Sequence, residues 1–473
     1  MTNTGKTLTT IGRSLQLRQA LLCIAIVLIA IKSVAVLLNG PVPLERDSLG
    51  YWTLSTLVMN GDFFMTDSHI AYRTPLYPWF LAACRLLYGS HSFWFIALVQ
   101  VAAYVGSIWF ASTLALQITR LPFSRFATII CLLPAISATQ YNAAALSESL
   151  FVLLLTLHLC AFIKYAHHPN QSQAVFVGLT LAALLLTKPI SLLLWIAHLI
   201  LILLYVMRRR KLEHADKIHF YKFSHLFTAA CVLLLFISPW VFRNHLIFGR
   251  PSLTEFAGRN LWIVTFQDGS GAGLALPRSS ASQELTQRLL HSPTQIDPTA
   301  TWSVSNQLTR SGLSDAQSDR LMKQVCIDAI QQEPRQFATR MLRRIINFWR
   351  CANTDLLKQG IRGEGLTPLQ TWNQDVVWSK RLLDVRASQS VLCNTILAVV
   401  IGLALGCLLL NHSTRPAAIW LSLILAYFSV VTGTLEIPDY RYRLIIEPII
   451  GTTFGSAWAV LLSKKERIAA IAD

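Results

Sequence analysis

The chain has 473 residues, 53% of them hydrophobic and only 14% charged, against roughly 25% charged in ordinary soluble domains. A mean hydropathy of +0.47 excludes a soluble cytosolic enzyme and makes membrane spans, not soluble domains, the unit of organisation. The net charge of +17 does not indicate nucleic acid, because Lys and Arg lie between apolar runs and not along one aromatic-studded face; it indicates membrane orientation.

From the N-terminus onward, apolar runs predict ten spans, at 20–39, 93–118, 125–140, 148–166, 173–187, 190–206, 225–242, 390–410, 417–434 and 442–462. Most are near the ~20 residues that cross hydrocarbon. No small-residue cleavage site follows the first run, so it reads as a retained span and not a signal peptide. The run 75–89 is apolar but short, and it holds Arg85 and two prolines, which suits an interfacial or re-entrant helix. Charge supports leaving it out of the span count. With the N-terminus inside, 16 Lys and Arg fall in cytoplasmic segments and six (Arg46, Arg73, Arg85, Lys188, Arg441 and Arg443) in the short outer loops. Counting 75–89 as a span would put the basic 207–224 loop outside, against the positive-inside rule. Both termini are therefore expected in the cytoplasm.

The expected organisation is an N-terminal transmembrane module, 1–242, with its first outer loop at 40–92. An extracytoplasmic helical segment follows at 243–389, and C-terminal transmembrane helices with a cytoplasmic tail at 390–473. In the middle segment, helical spacing is visible at 281–291 and 314–350, where Leu321, Val325, Ile330, Phe337, Met341 and Ile345 recur and Pro334 interrupts. Residues 268–273 and 279–301 read as surface loops, and no internal repeat is visible. The fold class is an all-α polytopic membrane protein. Of nine cysteines, only Cys326 and Cys351 lie in a polar region, where two free thiols are expected over a disulfide.

This topology collects several polar groups on the outer face. Asp47 stands just past the first span, where it would cap a helix over 48–59 or carry chemistry. With it come Ser147-Glu148, Lys188-Pro189, Arg243-Asn244 and Asp439-Tyr440-Arg441-Tyr442-Arg443, each at a membrane boundary. Long cations at span ends commonly snorkel to headgroups. On the outer face, however, they run against the orientation rule and suit a bound anion such as a lipid-linked phosphate. Glu148 reads as a partner for one of these cations or as an acid at a helix N-terminus. The sequence has no phosphate-binding glycine loop, no H-E-x-x-H and no paired C-x-x-C. The scattered outer histidines His69, His91, His245 and His291 give a divalent-metal site around Asp47 weak support. A transporter or flippase of polyprenyl-linked glycans is the alternative, with Lys32 as its mid-span charge.

Several pieces of the chain carry a family resemblance. They are Asp47-Ser48-Leu49-Gly50-Tyr51-Trp52 with Asn60-Gly61, Arg73-Thr74-Pro75-Leu76-Tyr77-Pro78, Leu146-Ser147-Glu148-Ser149 and Thr187-Lys188-Pro189. Pro239-Trp240-Val241-Phe242-Arg243-Asn244, Gly258-Arg259-Asn260-Leu261 and Arg441-Tyr442-Arg443-Leu444 with Glu447-Pro448 complete the set. In order and spacing these resemble the GT-C integral-membrane glycosyltransferases, in the bacterial branch similar to dolichyl-phosphate-mannose-protein mannosyltransferases and lipid A aminoarabinose transferases. One departure is Arg73-Thr74-Pro75, where the aminoarabinose branch often has lysine before the proline. The resemblance implies a GT-C-like bundle with juxtamembrane helices in the first outer loop. It also implies transfer of a sugar from a polyprenyl-phosphate donor to a glycolipid, glycan or protein, on the extracytoplasmic face of a bacterial inner membrane. Asp47 is then the catalytic residue, and by its chemistry a general base on the acceptor hydroxyl, with inversion at the anomeric carbon. By their chemistry Arg441, Arg443, Lys188 and Arg243 would hold the donor phosphate, supported by Glu148, Tyr51, Arg73 and Tyr442. No cofactor is expected beyond a divalent metal left open.

Overall fold

The structure, a computed structural model, describes residues 44–89, 92–132, 139–212, 223–267, 273–290, 300–350, 376–437 and 440–472, with isolated positions 20, 24, 27 and 31. Most of the first expected span, Lys32, most of the 268–273 loop and Cys351 lie outside the described residues. The first outer loop forms α1 (Arg46–Met59) and α2 (Leu76–Tyr88). There follow α3 (Ser92–Thr119), α4 (Phe123–Leu132), α5 (Thr139–Ala143), α6 (Glu148–His167), α7 (Gln171–Thr187), α8 (Leu194–Leu212) and α9 (Phe223–Phe248). The middle segment supplies α10 (Ala257–Phe266), α11 (Ser280–Leu290), α12 (Thr301–Arg310), α13 (Asp315–Gln332) and α14 (Pro334–Arg350). The chain closes with α15 (Val376–Leu410), α16 (Arg415–Leu435), α17 (Tyr440–Leu444) and α18 (Glu447–Ala472). No strand occurs among the described residues.

Helices α3, α6 and α16, together with Pro189–Met207, Ser224–Phe248 and Val391–Leu410, are long and apolar enough to cross a membrane. Helices α4 and α7 are shorter apolar helices of 10 and 17 residues. The protein is an all-helical, multi-pass membrane protein. The structure moves some expected boundaries. The span expected at 442–462 begins only at Glu447, because the chain breaks after Leu444 and restarts where Pro448 falls in a first turn that needs no amide donor. The helical spacing at 281–291 corresponds to α11, so the 279–301 stretch is only in part loop. Helices α10 and α12 were not legible, α12 because its short sequence is mostly polar with few apolar residues to mark a face.

Helix α2 has 13 residues, about 20 Å at 1.5 Å per residue, too short to cross. Its end exposes Leu86, Leu87 and Tyr88, and its Arg85 stacks at 4.0 Å on Trp52 of α1 while donating to Ser55 and Thr56. Helices α1 and α2 thus form a juxtamembrane pair. Close helix approach beneath them depends on glycine. On α18, a Cβ at Gly455 would stand 2.1 Å from Thr128 Oγ1 and 2.4 Å from its amide nitrogen on α4, and one at Gly451 would meet Leu132. This G-x-x-x-G face lets two backbones touch, as membrane helices without a hydrophobic driving force require.

At the centre of the bundle a polar chain joins four helices. Trp420 Nε1 of α16 donates to His198 Nδ1 of α8 at 3.2 Å, so His198 carries its proton on Nε2 and donates to His158 Nε2 of α6 at 2.8 Å. His158 Nδ1 then donates to Thr180 Oγ1 of α7 at 2.8 Å, and Thr180 donates to Phe176 O at 2.9 Å. With both rings neutral every nitrogen has a partner, as a low-dielectric interior demands.

The middle segment has its own apolar core, which includes Trp262, Leu285, Val304, Leu308, Met322 and Val325. Arg259, fully buried, pairs with Asp315 and Asp319 beside it. Asp315 Oδ2 also accepts from Ala71 N at 2.9 Å, and Glu255 N donates to Ala71 O at 2.8 Å. These bonds fasten the first outer loop to the middle segment two residues before Arg73.

Candidate active site

Asp47 lies in the first turn of α1, where a carboxylate meets the positive end of the helix dipole. It is not the cap: that position is Glu45, whose amide donates to Ser48 Oγ at 2.8 Å. Relieved of capping, the Asp47 carboxylate faces two guanidiniums. Arg73 Nη2 donates to Oδ1 at 2.6 Å and Arg441 Nη1 to Oδ2 at 2.9 Å. Tyr51, one turn along α1 on the same face, lies under Arg73 with 4.3 Å from guanidinium carbon to ring centroid. The Tyr51 hydroxyl hydrogen-bonds Ser147 at 3.2 Å. Thr74 donates to Thr187 O at 2.9 Å, fixing the loop that carries Arg73 to the end of α7.

Arg441 also donates through Nε to Glu148 Oε1 at 2.5 Å, and Lys188 Nζ reaches the same oxygen at 2.8 Å. Glu148 opens α6, and Lys188 ends α7 in an extended conformation that turns its side chain from the helix axis. The result is a chain of alternating charge, Arg73, Asp47, Arg441, Glu148, Lys188, drawn from four separate stretches of sequence. Three cations against two carboxylates leave one positive charge in excess. Among the described residues, Arg73 Nε and Glu148 Oε2 are buried without a hydrogen-bond partner.

Burial pushes the Asp47 carboxyl up, but the Arg73 and Arg441 guanidiniums outweigh it and hold it well below the usual carboxylate range. Burial likewise works against the Arg441 charge, and Glu148 and Asp47 reverse this, so its guanidinium stays protonated at any working pH. The cluster is an array of fixed charge.

Not every expected residue joins it. Arg243, expected at the donor phosphate, instead spends its guanidinium on the carbonyls of Phe64, Met65 and Ser68, at 3.1, 2.5 and 2.9 Å, and on Asn244 Oδ1, packed over Trp240. Its donors are used in holding the first loop against α9. Arg443, expected beside it, is buried and points to Trp349 O of α14 at 3.5 Å. Tyr442 donates to Glu436 Oε2 at 3.0 Å. Glu436, just past α16, was not singled out in the sequence. Among the described residues no three His, Cys, Asp or Glu side chains gather as a metal site, and both carboxylates of the cluster face cations. Cys326 is buried as a free thiol within the middle segment's core.

No protein-family model and no curated protein matches the sequence. Two solved structures of ArnT from Cupriavidus metallidurans are similar. The structure bound to undecaprenyl phosphate is 14% identical with a TM-score of 0.35, over 93% of this chain and 78% of that one. The apo structure is 12% identical with a TM-score of 0.36, over 95% and 78%. Both likenesses are weak.

Proposed function

We propose that the protein is a membrane glycosyltransferase that moves a sugar from a polyprenyl-phosphate donor to an acceptor hydroxyl at the outer face of a bacterial inner membrane. The observation that carries this reading is the alternating cluster at the end of the bundle, with its one positive charge in excess. A departing lipid phosphate gains negative charge in the transition state, and fixed guanidinium and ammonium groups in a partly dry site stabilise that charge.

The geometry suggests an order of events. The donor phosphate competes with Asp47 and Glu148 for Arg73, Arg441 and Lys188, and in taking them it loosens the Asp47 carboxylate. Asp47 then turns to the acceptor hydroxyl, which attacks the anomeric carbon from the face opposite the phosphate, with inversion. Tyr51 holds Arg73 in place, Glu148 orients Lys188 and Arg441, and Tyr442 fixes the turn that presents Arg441. The lipid tail remains in the bilayer, and the acceptor is a glycolipid, glycan or protein.

The test is sugar transfer by purified protein in lipid, with polyprenyl-phosphate sugars compared against nucleotide sugars. Transfer from the lipid donor alone is expected, and Asp47→Asn should slow it by about 10²-fold or more. Absence of transfer from every donor, with labelled glycolipid crossing the bilayer, would establish the transporter instead.

A further inference from the structure

Of the segments that carry the family resemblance, Gly258-Arg259-Asn260-Leu261 contributes nothing to the charge cluster. Its fully buried Arg259 lies against two aromatic rings instead, with the guanidinium carbon 5.5 Å from the Tyr72 centroid and 5.8 Å from that of Trp302. Phe256, the cap residue of α10, completes the group, its ring centroid 5.2 Å from Tyr72 and 6.2 Å from Trp302. Tyr72 and Trp302 are 5.6 Å apart. The three rings come from the first outer loop, the start of α10 and the start of α12.

The group is held from behind. The main-chain bond from Glu255 N to Ala71 O sets the next residues, Phe256 and Tyr72, side by side. Arg259 Nε donates to Ser305 Oγ at 2.8 Å, one turn along α12 from Trp302, while Asp315 and Asp319 pair with the same guanidinium. Tyr72 and Phe256 are half-buried, but Trp302 is 45% exposed. Among the described residues of α10, α12 and α13 it is the one large apolar side chain left exposed, and its exposed neighbours on α12 include Ser303 and Asn306. This is unlike the surface of the spanning helix α9, where Leu234, Leu235 and Phe236 stand exposed in succession. A fixed aromatic face rimmed by hydroxyl and amide groups suits a saccharide. The weakly positive C–H face of a pyranose rests on the negative ring face, its hydroxyls meet the polar rim, and the clamped indole has little freedom to lose.

Position identifies which sugar. The Arg73 guanidinium carbon is 5.1 Å from the Tyr72 centroid, and its Nη2 donates to Asp47 Oδ1 at 2.6 Å. The order is therefore aromatic group, Arg73, Asp47, Arg441, Glu148, Lys188, with the rings beyond the Asp47 end and Lys188 at the other. Inversion requires the acceptor hydroxyl to approach from the side opposite the departing phosphate. A ring on the aromatic group is then the acceptor's, and the donor keeps toward Arg441 and Lys188. We propose that Tyr72, Phe256 and Trp302 form the acceptor subsite and take a pyranose ring that bears or adjoins the reacting hydroxyl. This rests on the glycosyltransferase reading and narrows the acceptor to one that presents a sugar.

The experiment compares wild type with Trp302→Phe, Trp302→Leu and Trp302→Ala in lipid nanodiscs, all at an exposed position that leaves thermal unfolding unchanged. Saturation-transfer NMR with cellobiose, maltose and chitobiose, beside a serine tripeptide, reads contact without any transfer assay. At least one saccharide should show signals at its ring C–H protons, kept in Trp302→Phe and lost in Trp302→Leu and Trp302→Ala; the tripeptide should show none. With a polyprenyl-phosphate sugar as donor and extracted bacterial envelope glycolipid as acceptor, Trp302→Ala should raise the acceptor KM about tenfold and leave the donor KM unchanged. Full recovery by Trp302→Leu would make the residue an apolar contact for lipid and overturn the subsite. A raised donor KM with an unchanged acceptor KM would give the rings to the donor sugar and overturn the acceptor assignment. Absence of a Trp302-dependent signal from all three saccharides overturns the subsite whether or not the protein transfers sugar. Trp302-dependent signals in a protein that transfers from no donor would overturn the function reading instead, and the acceptor role with it.

Discussion

At the scale of single residues, the cluster divides its cations by what they touch. Arg441 bridges both carboxylates, so Arg441→Gln should weaken polyprenyl-phosphate binding by about tenfold or more, read by titrating the lipid into purified protein. Arg243 makes the opposite case. Its donors serve backbone carbonyls of the first loop, so Arg243→Ala should cost on the order of 3 kcal/mol of stability. Protein that does fold should bind the lipid phosphate unchanged. The two arginines look alike in sequence, each a cation at a span end on the face expected to be poor in cations. That rule brought Lys188 and Arg441 into view, a place at a span boundary brought Asp47 and Glu148, and the four do meet. It could not sort Arg243 from Arg441, because a backbone carbonyl is an acceptor that leaves no mark in sequence.

At the scale of elements, helix contacts in the bundle depend on backbone proximity as much as on apolar surface. Gly455→Ala should destabilise by about 1–3 kcal/mol, because its Cβ would press on Thr128 of α4 at both hydroxyl and amide. Gly402→Ala on α15, where nothing stands within 4 Å, should be neutral or up to about 1 kcal/mol more stable. Detergent-resistant thermal unfolding of the pair separates close packing from helix propensity. Apolar run length made most of these helices visible in sequence, and the brevity of 75–89 identified α2 as non-crossing. Where helices end was less visible. The break between Leu444 and Glu447 falls inside the stretch expected as one span.

At the scale of the whole molecule, charge asymmetry predicts that the cluster faces the outside of the membrane. A cysteine introduced as Arg250→Cys, after α9, should react with an impermeant maleimide added outside intact cells. One introduced as Arg120→Cys, between α3 and α4, should react only after permeabilisation. The reverse pattern would invert the protein and remove its cluster from the outer face. The crowding of polar groups at one end was legible because it follows from a solvent boundary that sequence composition records. The fastening of the first loop to the middle segment through Ala71, Glu255 and Asp315 was not. It pairs residues far apart in the chain, through main-chain atoms that any residue could supply.

The alternating run of charges also sets a threshold for visitors. Each cation in it already has a carboxylate partner, so an anion entering from water must displace a neighbour before it gains anything. Free phosphate or a stray nucleotide has little with which to offset that exchange. A phosphate already held at the bilayer surface by its own lipid arrives at high local concentration and has no other part of the chain to search. Under the proposed function the cluster would screen by delivery route as well as by charge, favouring an anion that comes through the membrane over a soluble one.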